Sequence, residues 1–178
     1  MKNPRYSIFA AVSVDGKIAA PGFEGAHWTS KEDKKFLHEF LDKSDVVIVG
    51  ATTYELAKEP LAKRNCIVFS RKKSMSKKSS KLITINPEKQ DIDAYIRSKG
   101  YKKIAILGGS QVYSYFLGHD LVDDIYLTIE PILFGSGTPL VAAELGKKSL
   151  TLQSCKLLNK KGTLLLRYRV ANTSLQRQ

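Results

Sequence analysis

The chain has 178 residues, 43% hydrophobic and 26% charged, with a formal net charge of +12. That length holds one domain with a substantial core and is too short for two ordinary ones. No apolar stretch approaches the length of a membrane span, and two distant cysteines, Cys66 and Cys155, without a His/Cys cluster exclude a disulfide framework or a zinc site.

The apolar run Tyr6 to Val14, closed by Asp15-Gly16, predicts a first, central strand ending in a turn. Its apolar part Ile8 to Val12 is too brief for a secretory signal and Asp15 follows it, so cytoplasmic residence is expected. Ala10 and Ala11 are small within it: either a flat ligand lies against them or a helix packs there. Pro21 to Trp28 reads as a loop, and Trp28, the single tryptophan, is a core anchor or part of a lid over a ligand.

A helix follows, with Phe36, Leu37, Phe40 and Leu41 on its apolar face. Asp33 precedes Phe36 and Leu37 by three and four positions, which turns its carboxylate toward the core, a costly place unless something pairs with it. With Ser30 as N-cap, Asp33 closes a Ser-x-x-Asp arrangement akin to a capping box and is structural. With Thr29 as N-cap, Glu32 takes that position and Asp33 is free to enter a site.

Asp45 to Gly50 predicts a buried strand, and Ala51-Thr52-Thr53-Tyr54-Glu55 opens a short helix ended by Pro60-Leu61. Strand, glycine and helix start, with two hydroxyls, suit a phosphate. Cys66 to Phe69 is a third apolar strand, with Cys66 a small core residue. Ser70, Arg71 and Lys72 stand directly beyond its C-terminal end, where ligands of open α/β sheets collect. No acidic residue is there to hold a ribose diol, so an adenosine 2′-phosphate fits better, which argues NADP over NAD.

Six of the eleven residues from Arg71 to Lys81 are basic, and no aromatic residue stands among them. The segment therefore lacks the stacking platform of a single-strand binder, and reads as a solvated loop or a phosphate-attracting stretch. A short strand from Lys81 to Ile85 and a helix from Glu88 to Ser98 on Ile92, Tyr95 and Ile96 are expected next.

Lys103 to Leu117 is the stretch around which the chain is organised. Ile104 to Leu107 predicts a strand buried on both faces, broken by Gly108-Gly109. Ser110 stands where an N-cap belongs, and Val112, Phe116 and Leu117 follow at helical spacing. Two readings stand: a cradle for a cofactor's pyrophosphate, or a tight turn with no ligand. Asp124 to Glu130 then predicts a strand, Pro131 to Leu140 a loop, and Leu152 to Leu158 with Thr163 to Val170 a hairpin around Asn159-Lys160-Lys161-Gly162. Parallel βα units before a terminal hairpin imply a mixed sheet covered by helices.

Ala10 to Ala19 with its Asp15-Gly16 turn, Trp28 followed by Asp33, Gly50-Ala51-Thr52-Thr53-Tyr54-Glu55, Ile106 to Tyr113 and Tyr126-Leu127-Thr128 occur in the order and spacing of the dihydrofolate reductase superfamily. The resemblance covers nearly the whole chain. Ser13 to Ala19 and the loop Pro131 to Leu140 more closely resemble the reductase domain of riboflavin biosynthesis, usually the C-terminal half of a deaminase-reductase. The zinc deaminase signature is absent, so no deamination is expected.

The resemblance implies an α/β fold, a three-layer αβα sandwich whose mixed, mostly parallel sheet ends in an antiparallel hairpin, with residues 1–178 forming one reductase domain. It implies NADPH along the strand ends, near Ala11 and Ile18, with Leu107, Gly108, Gly109, Ser110, Gln111, Val112 and Tyr113 meeting the cofactor. Gly50, Ala51, Thr52, Thr53, Ser70 and Arg71 lie on its adenosine side. Ala51 replaces the arginine common in dihydrofolate reductases, so the 2′-phosphate falls to Arg71 or Lys72.

Asp33 is similar to the acidic residue that holds the pterin ring, Thr128 to its hydrogen-bonding partner, and Arg64 to the arginine that clamps the folate tail or, in a riboflavin-type enzyme, a ribose phosphate. Trp28 would close the loop. The function implied is NADPH-dependent reduction of a pyrimidine riboside phosphate, with dihydrofolate as the alternative substrate. A catalytically silent, basic nucleic-acid binder on the same fold is the distant rival. The expected partner is a small heterocyclic substrate, with no metal or membrane and a homodimer by analogy.

Overall fold

A computed structural model describes residues 3–71 and 81–171. In chain order the elements are β1 (Arg5–Ser13), β2 (Lys17–Ala19), α1 (Lys31–Leu41), β3 (Val46–Gly50), α2 (Ala51–Leu56), α3 (Lys58–Leu61), β4 (Cys66–Phe69), β5 (Leu82–Ile85), α4 (Ile92–Ser98), β6 (Lys103–Ile106), α5 (Ser110–Gly118), β7 (Asp124–Glu130), β8 (Thr138–Pro139), β9 (Leu150–Leu157) and β10 (Leu164–Val170). Eight strands form one sheet in the order β5-β4-β3-β6-β1-β7-β10-β9, while β2 and β8 pair apart from it. Strands β5 to β7 across that order run parallel; β10 is antiparallel to both β7 and β9. The expected α/β sandwich with its antiparallel terminal hairpin is the observed fold.

The period-two alternation of β1 divides its side chains between two cores. Tyr6, Ile8 and Ala10 join Ile92 and Ile96 of α4 and Val112, Tyr113, Phe116 and Leu117 of α5 on one face. Phe9 joins Leu41 of α1, Tyr54 of α2 and Leu61 of α3 on the other. The central strands are apolar on both faces because helices cover both.

Three boundaries differ from the sequence expectation. Pro60 does not end α2; that helix stops at Leu56, and Pro60 lies inside the separate short α3. The α4 helix starts at Ile92 rather than near Glu88, because the Asp91 carboxylate accepts the Asp93 and Ala94 N–H groups and caps it there. Ser110 is the first residue of α5, not its N-cap, which is Gly109. The Ser110 hydroxyl donates instead to the Pro139 carbonyl at 2.6 Å, tying α5 to the loop after β7.

Asp124, 1% exposed at the start of β7, takes ion pairs from Arg5 (2.6 Å), Arg167 (3.2 Å) and Arg169 (3.9 Å). At the open sheet edge β9 is exposed along its length, including Leu150, Leu152 and Leu157. None of the described helices is long and apolar enough to cross a membrane.

Phe116 is fully buried, with ring centroids 5.4–5.7 Å from Tyr115, Phe69 and Tyr6. Replacing it with alanine empties the α5 side of the core. Phe116→Ala is expected to cost about 3–5 kcal/mol in urea unfolding, with an unchanged m-value.

Candidate active site

The parallel strands end along one edge, β1 at Ser13, β3 at Gly50, β4 at Phe69, β6 at Ile106 and β7 at Glu130. Neighbouring strands β3 and β6 each lead through glycine into a helix, and neither N-cap, Gly50 or Gly109, makes a side-chain hydrogen bond to its first turn. The two turns touch, the Gly50 N–H donating to the Gly108 carbonyl at 2.7 Å. Gly108 has φ +93 over the Tyr113 ring, where a Cβ would come 2.5 Å from Cζ. The peptide between Gly108 and Gly109 is cis.

Gly109 is more open: the first atoms a Cβ would meet are Thr53 Oγ1 at 3.6 Å and Ile18 Cδ1 at 3.9 Å. Here the first-turn N–H groups of α5, a nine-residue helix, present the positive end of its dipole. Backbone approach and uncapped donors together fit a diphosphate. Val112 and Tyr113 lie below this surface, buried, with the Tyr113 hydroxyl donating to the Phe9 carbonyl at 2.6 Å. Ala51 and Thr53 are half-buried, Thr52 and Gln111 exposed, and Leu107 half-buried at the end of β6.

Across the edge, β1 and β7 pair Phe9 with Tyr126, Ala11 with Thr128 and Ser13 with Glu130. Each pair faces α1. Phe9 and Tyr126 stack at 4.8 Å. Thr128, paired with the small Ala11, carries its hydroxyl to Asp33 of α1, which is 7% exposed. Burial pushes the Asp33 carboxyl above its ordinary range; the hydroxyls of Thr128 and Thr29 oppose this, and the carboxylate of Glu130 adds to it.

Ser30 is the N-cap, its hydroxyl accepting the Asp33 N–H at 3.2 Å. That is the arrangement in which the sequence makes Asp33 structural, yet its carboxyl is not spent on the cap. The Ser30 N–H, which the third residue of a capping box would hold, donates to Glu130 Oε1 at 2.7 Å. Glu130 was not among the residues singled out from the sequence. The available signal was its place two residues beyond Thr128, on the same face of a strand.

Three loops close over this edge. Asp15 accepts the Phe134 N–H at 3.1 Å, the Gly135 N–H at 2.9 Å and the Ser13 hydroxyl at 2.7 Å. The Ser13 hydroxyl and these N–H groups hold the Asp15 carboxyl below its usual range. Phe134 in turn packs against Trp28, edge-on at 5.2 Å, and against Phe23 at 5.3 Å. The Trp28 Nε1–H is buried without an acceptor among the described residues. The Asp15-Gly16 turn and the loop Pro131 to Leu140, two separate signals in the sequence, are thus one clasped unit.

Arg64 lies at the other end of α1. Its guanidinium is bound by Asp42, the C-cap of that helix, and by the Pro60 carbonyl, and its side chain is 18% exposed. Asp42 stands nine positions after Asp33 on α1, about 13.5 Å along the axis. Arg71 is exposed, 4.0 Å from Glu88. Lys72, and all of the basic segment between Arg71 and Lys81, lies outside the described residues.

The raised Asp33 carboxyl sets a sign for stability. Between the ordinary carboxylate range and the raised value the native state holds a proton that the unfolded chain has released, so stability falls as pH rises through that window. Asp33→Asn is therefore expected to be more stable than the parent at neutral pH. Urea denaturation should show that advantage vanish below about pH 3, where both side chains are neutral.

A family model described as dihydrofolate reductase matches residues 7–132. An uncharacterized protein, YwjB, of Bacillus subtilis is 28% identical over 162 residues, 84% of this chain and 89% of the relative. Among solved structures, a pyrimidine reductase-like protein of Corynebacterium diphtheriae superposes with a TM-score of 0.78 at 19% identity, over 94% of this chain and 92% of that one. A dihydrofolate reductase of Enterococcus faecalis complexed with NADP(H) superposes with a TM-score of 0.70 at 20% identity, over 95% and 98%. At those identities the structures speak for the fold, and the match across 7–132 for the family: this chain belongs to the dihydrofolate reductase family.

Proposed function

We propose that the protein is an NADPH-dependent reductase of a pyrimidine riboside phosphate, of the 5-amino-6-(5-phosphoribosylamino)uracil reductase type. The observation that carries this reading is Asp33, buried against Thr128, the pairing partner of the small Ala11, at the strand edge where two glycine-capped helices begin. Structural likeness to a putative riboflavin biosynthesis protein of a Shewanella species, TM-score 0.77 at 20% identity over 94% of this chain and 99% of that one, supports the choice of substrate class.

When bound, NADPH supplies the hydride. The first-turn N–H groups after Gly50 and Gly109 would hold its diphosphate, with Thr52, Thr53, Ser70 and Arg71 on the adenosine side. Asp33, kept toward its protonated form by burial, hydrogen-bonds the heterocycle and stands ready to give it a proton. Thr128 orients that carboxyl. The free Trp28 N–H offers a donor to the substrate side, and the clasped loops exclude water. A homodimer belongs to the same reading, supported by the exposed edge strand β9.

Dihydrofolate is the second candidate substrate, favoured by the family match and by the Asp33 and Thr128 pair. Arg64 lends it no support, since its guanidinium is already paired with the chain's own Asp42 carboxylate.

A substrate panel assayed by loss of NADPH absorbance tests the reading. The pyrimidine riboside phosphate should be turned over and dihydrofolate should not, with Asp33→Asn reducing kcat/KM about 100-fold or more. NADPH oxidation with dihydrofolate alone would reverse the assignment. If Arg64 takes the substrate anion, Asp42→Asn should lower KM for the phosphorylated substrate several-fold; an unchanged KM removes Arg64 from the site.

A further inference from the structure

Glu130 ends β7, 4% exposed, and both its oxygens are used: Oε1 accepts the Ser30 N–H and Oε2 accepts the Thr163 hydroxyl, each at 2.7 Å. It thus joins the end of one strand to the cap of α1 and to the residue that precedes β10. Thr163 is itself fixed by Asn159, whose Nδ2 donates both to Thr163 Oγ1 at 3.0 Å and to Glu32 at 3.1 Å. Glu32, the other acid of the first turn, therefore points out to the hairpin and away from Asp33.

We propose that Glu130 is a positioning residue for Asp33: it takes over the reciprocal half of the α1 capping box and sets a second, buried acidic side chain near the Asp33 carboxyl. This rests on the reading of Asp33 as the group that meets the heterocycle. Asp33 is the third residue of the helix, and in a complete capping box its side chain would turn back to the Ser30 N–H. Glu130 occupies that donor, which leaves the Asp33 carboxyl to face Thr128, the pairing partner of Ala11.

The second consequence is electrostatic. The groups acting on Asp33 are Thr128 and Glu130 from β7, and Thr29 and Lys34 from the start of α1. Tyr113 of α5 faces it as well, with its hydroxyl donated to Phe9. Two carboxylates facing each other in a buried site resist ionising together. Glu130 is held in place by the Ser30 N–H and the Thr163 hydroxyl, and it is the Asp33 carboxyl that is pushed above its ordinary range. A carboxyl pushed upward holds its proton to higher pH, which is what donation to a ring nitrogen needs.

Carboxyl-detected NMR of the labelled protein, titrated from about pH 3 to 9, reads the coupling directly. In Glu130→Gln, whose amide oxygen still accepts the Ser30 N–H, the Asp33 titration should move to lower pH. In Asp33→Asn the Glu130 titration should move down by the same amount, because coupling between two sites is reciprocal. That second variant leaves Glu130 and its partners untouched, and so decides the matter if Glu130→Gln does not fold.

With the pyrimidine riboside phosphate, the pH profile of kcat/KM for Glu130→Gln should shift in the same direction, with a loss of about tenfold at pH 8. Glu130 and Asp33 titrations that each ignore the other's substitution overturn the proposal. So does a fall in activity or melting temperature without any movement of the Asp33 titration, which would make Glu130 a purely structural anchor. Coupled titrations in a protein that reduces no member of the panel would leave Glu130 in its role and overturn the reductase reading instead.

Discussion

The hydrogen bond from the Ser30 N–H to Glu130 decides what the first turn of α1 is used for. A helix start leaves N–H groups unsatisfied, and a nearby acid in the sequence is the usual remedy. Here the remedy arrives from a strand about a hundred residues later in the chain. The local acid, Asp33, is left buried and leaning toward its neutral form, against Thr128 on the neighbouring β7. Everything proposed for the heterocycle end of the site depends on that exchange of partners.

The end of the site proposed for the cofactor depends on a different constraint, the close meeting of two turns. Gly50 and Gly108 are in hydrogen-bonding contact, and there is no room for a side chain on Gly108 above the Tyr113 ring. Tyr113 and Val112 matter by filling the space beneath the glycines. Ser110, expected to cap the helix, spends its hydroxyl on Pro139 and so draws the loop after β7 toward the same edge. Asp15 holds that loop from the other side through two N–H groups. Backbone donors thus fasten the enclosure, and aromatic contacts among Phe23, Trp28 and Phe134 fill it.

Charge is distributed in a way that the net value of +12 conceals. Acidic residues are few, and several are placed at junctions: Asp124 under three arginines, Asp42 on Arg64, Asp15 on a loop, Glu130 on a helix cap. Arg64, which the family resemblance assigns to a substrate anion, already has an internal anion.

The sequence by itself determined the class of fold, because alternation in the strands, helical spacing after each glycine and the Asn159 to Gly162 turn are local signals that read the same in any context. It also determined that Asp33 faces inward, from its spacing to Phe36 and Leu37. What it left open was which residue capped α1 and whether Asp33 was free, and this only the tertiary structure decided. Thr29 and Ser30 are equivalent candidates until a strand from elsewhere supplies Glu130 to one of them. The same reason hid the partners of Ser110 and Arg64: a hydroxyl or guanidinium takes the acceptor that folding brings within 3 Å, and chain spacing carries no record of that distance.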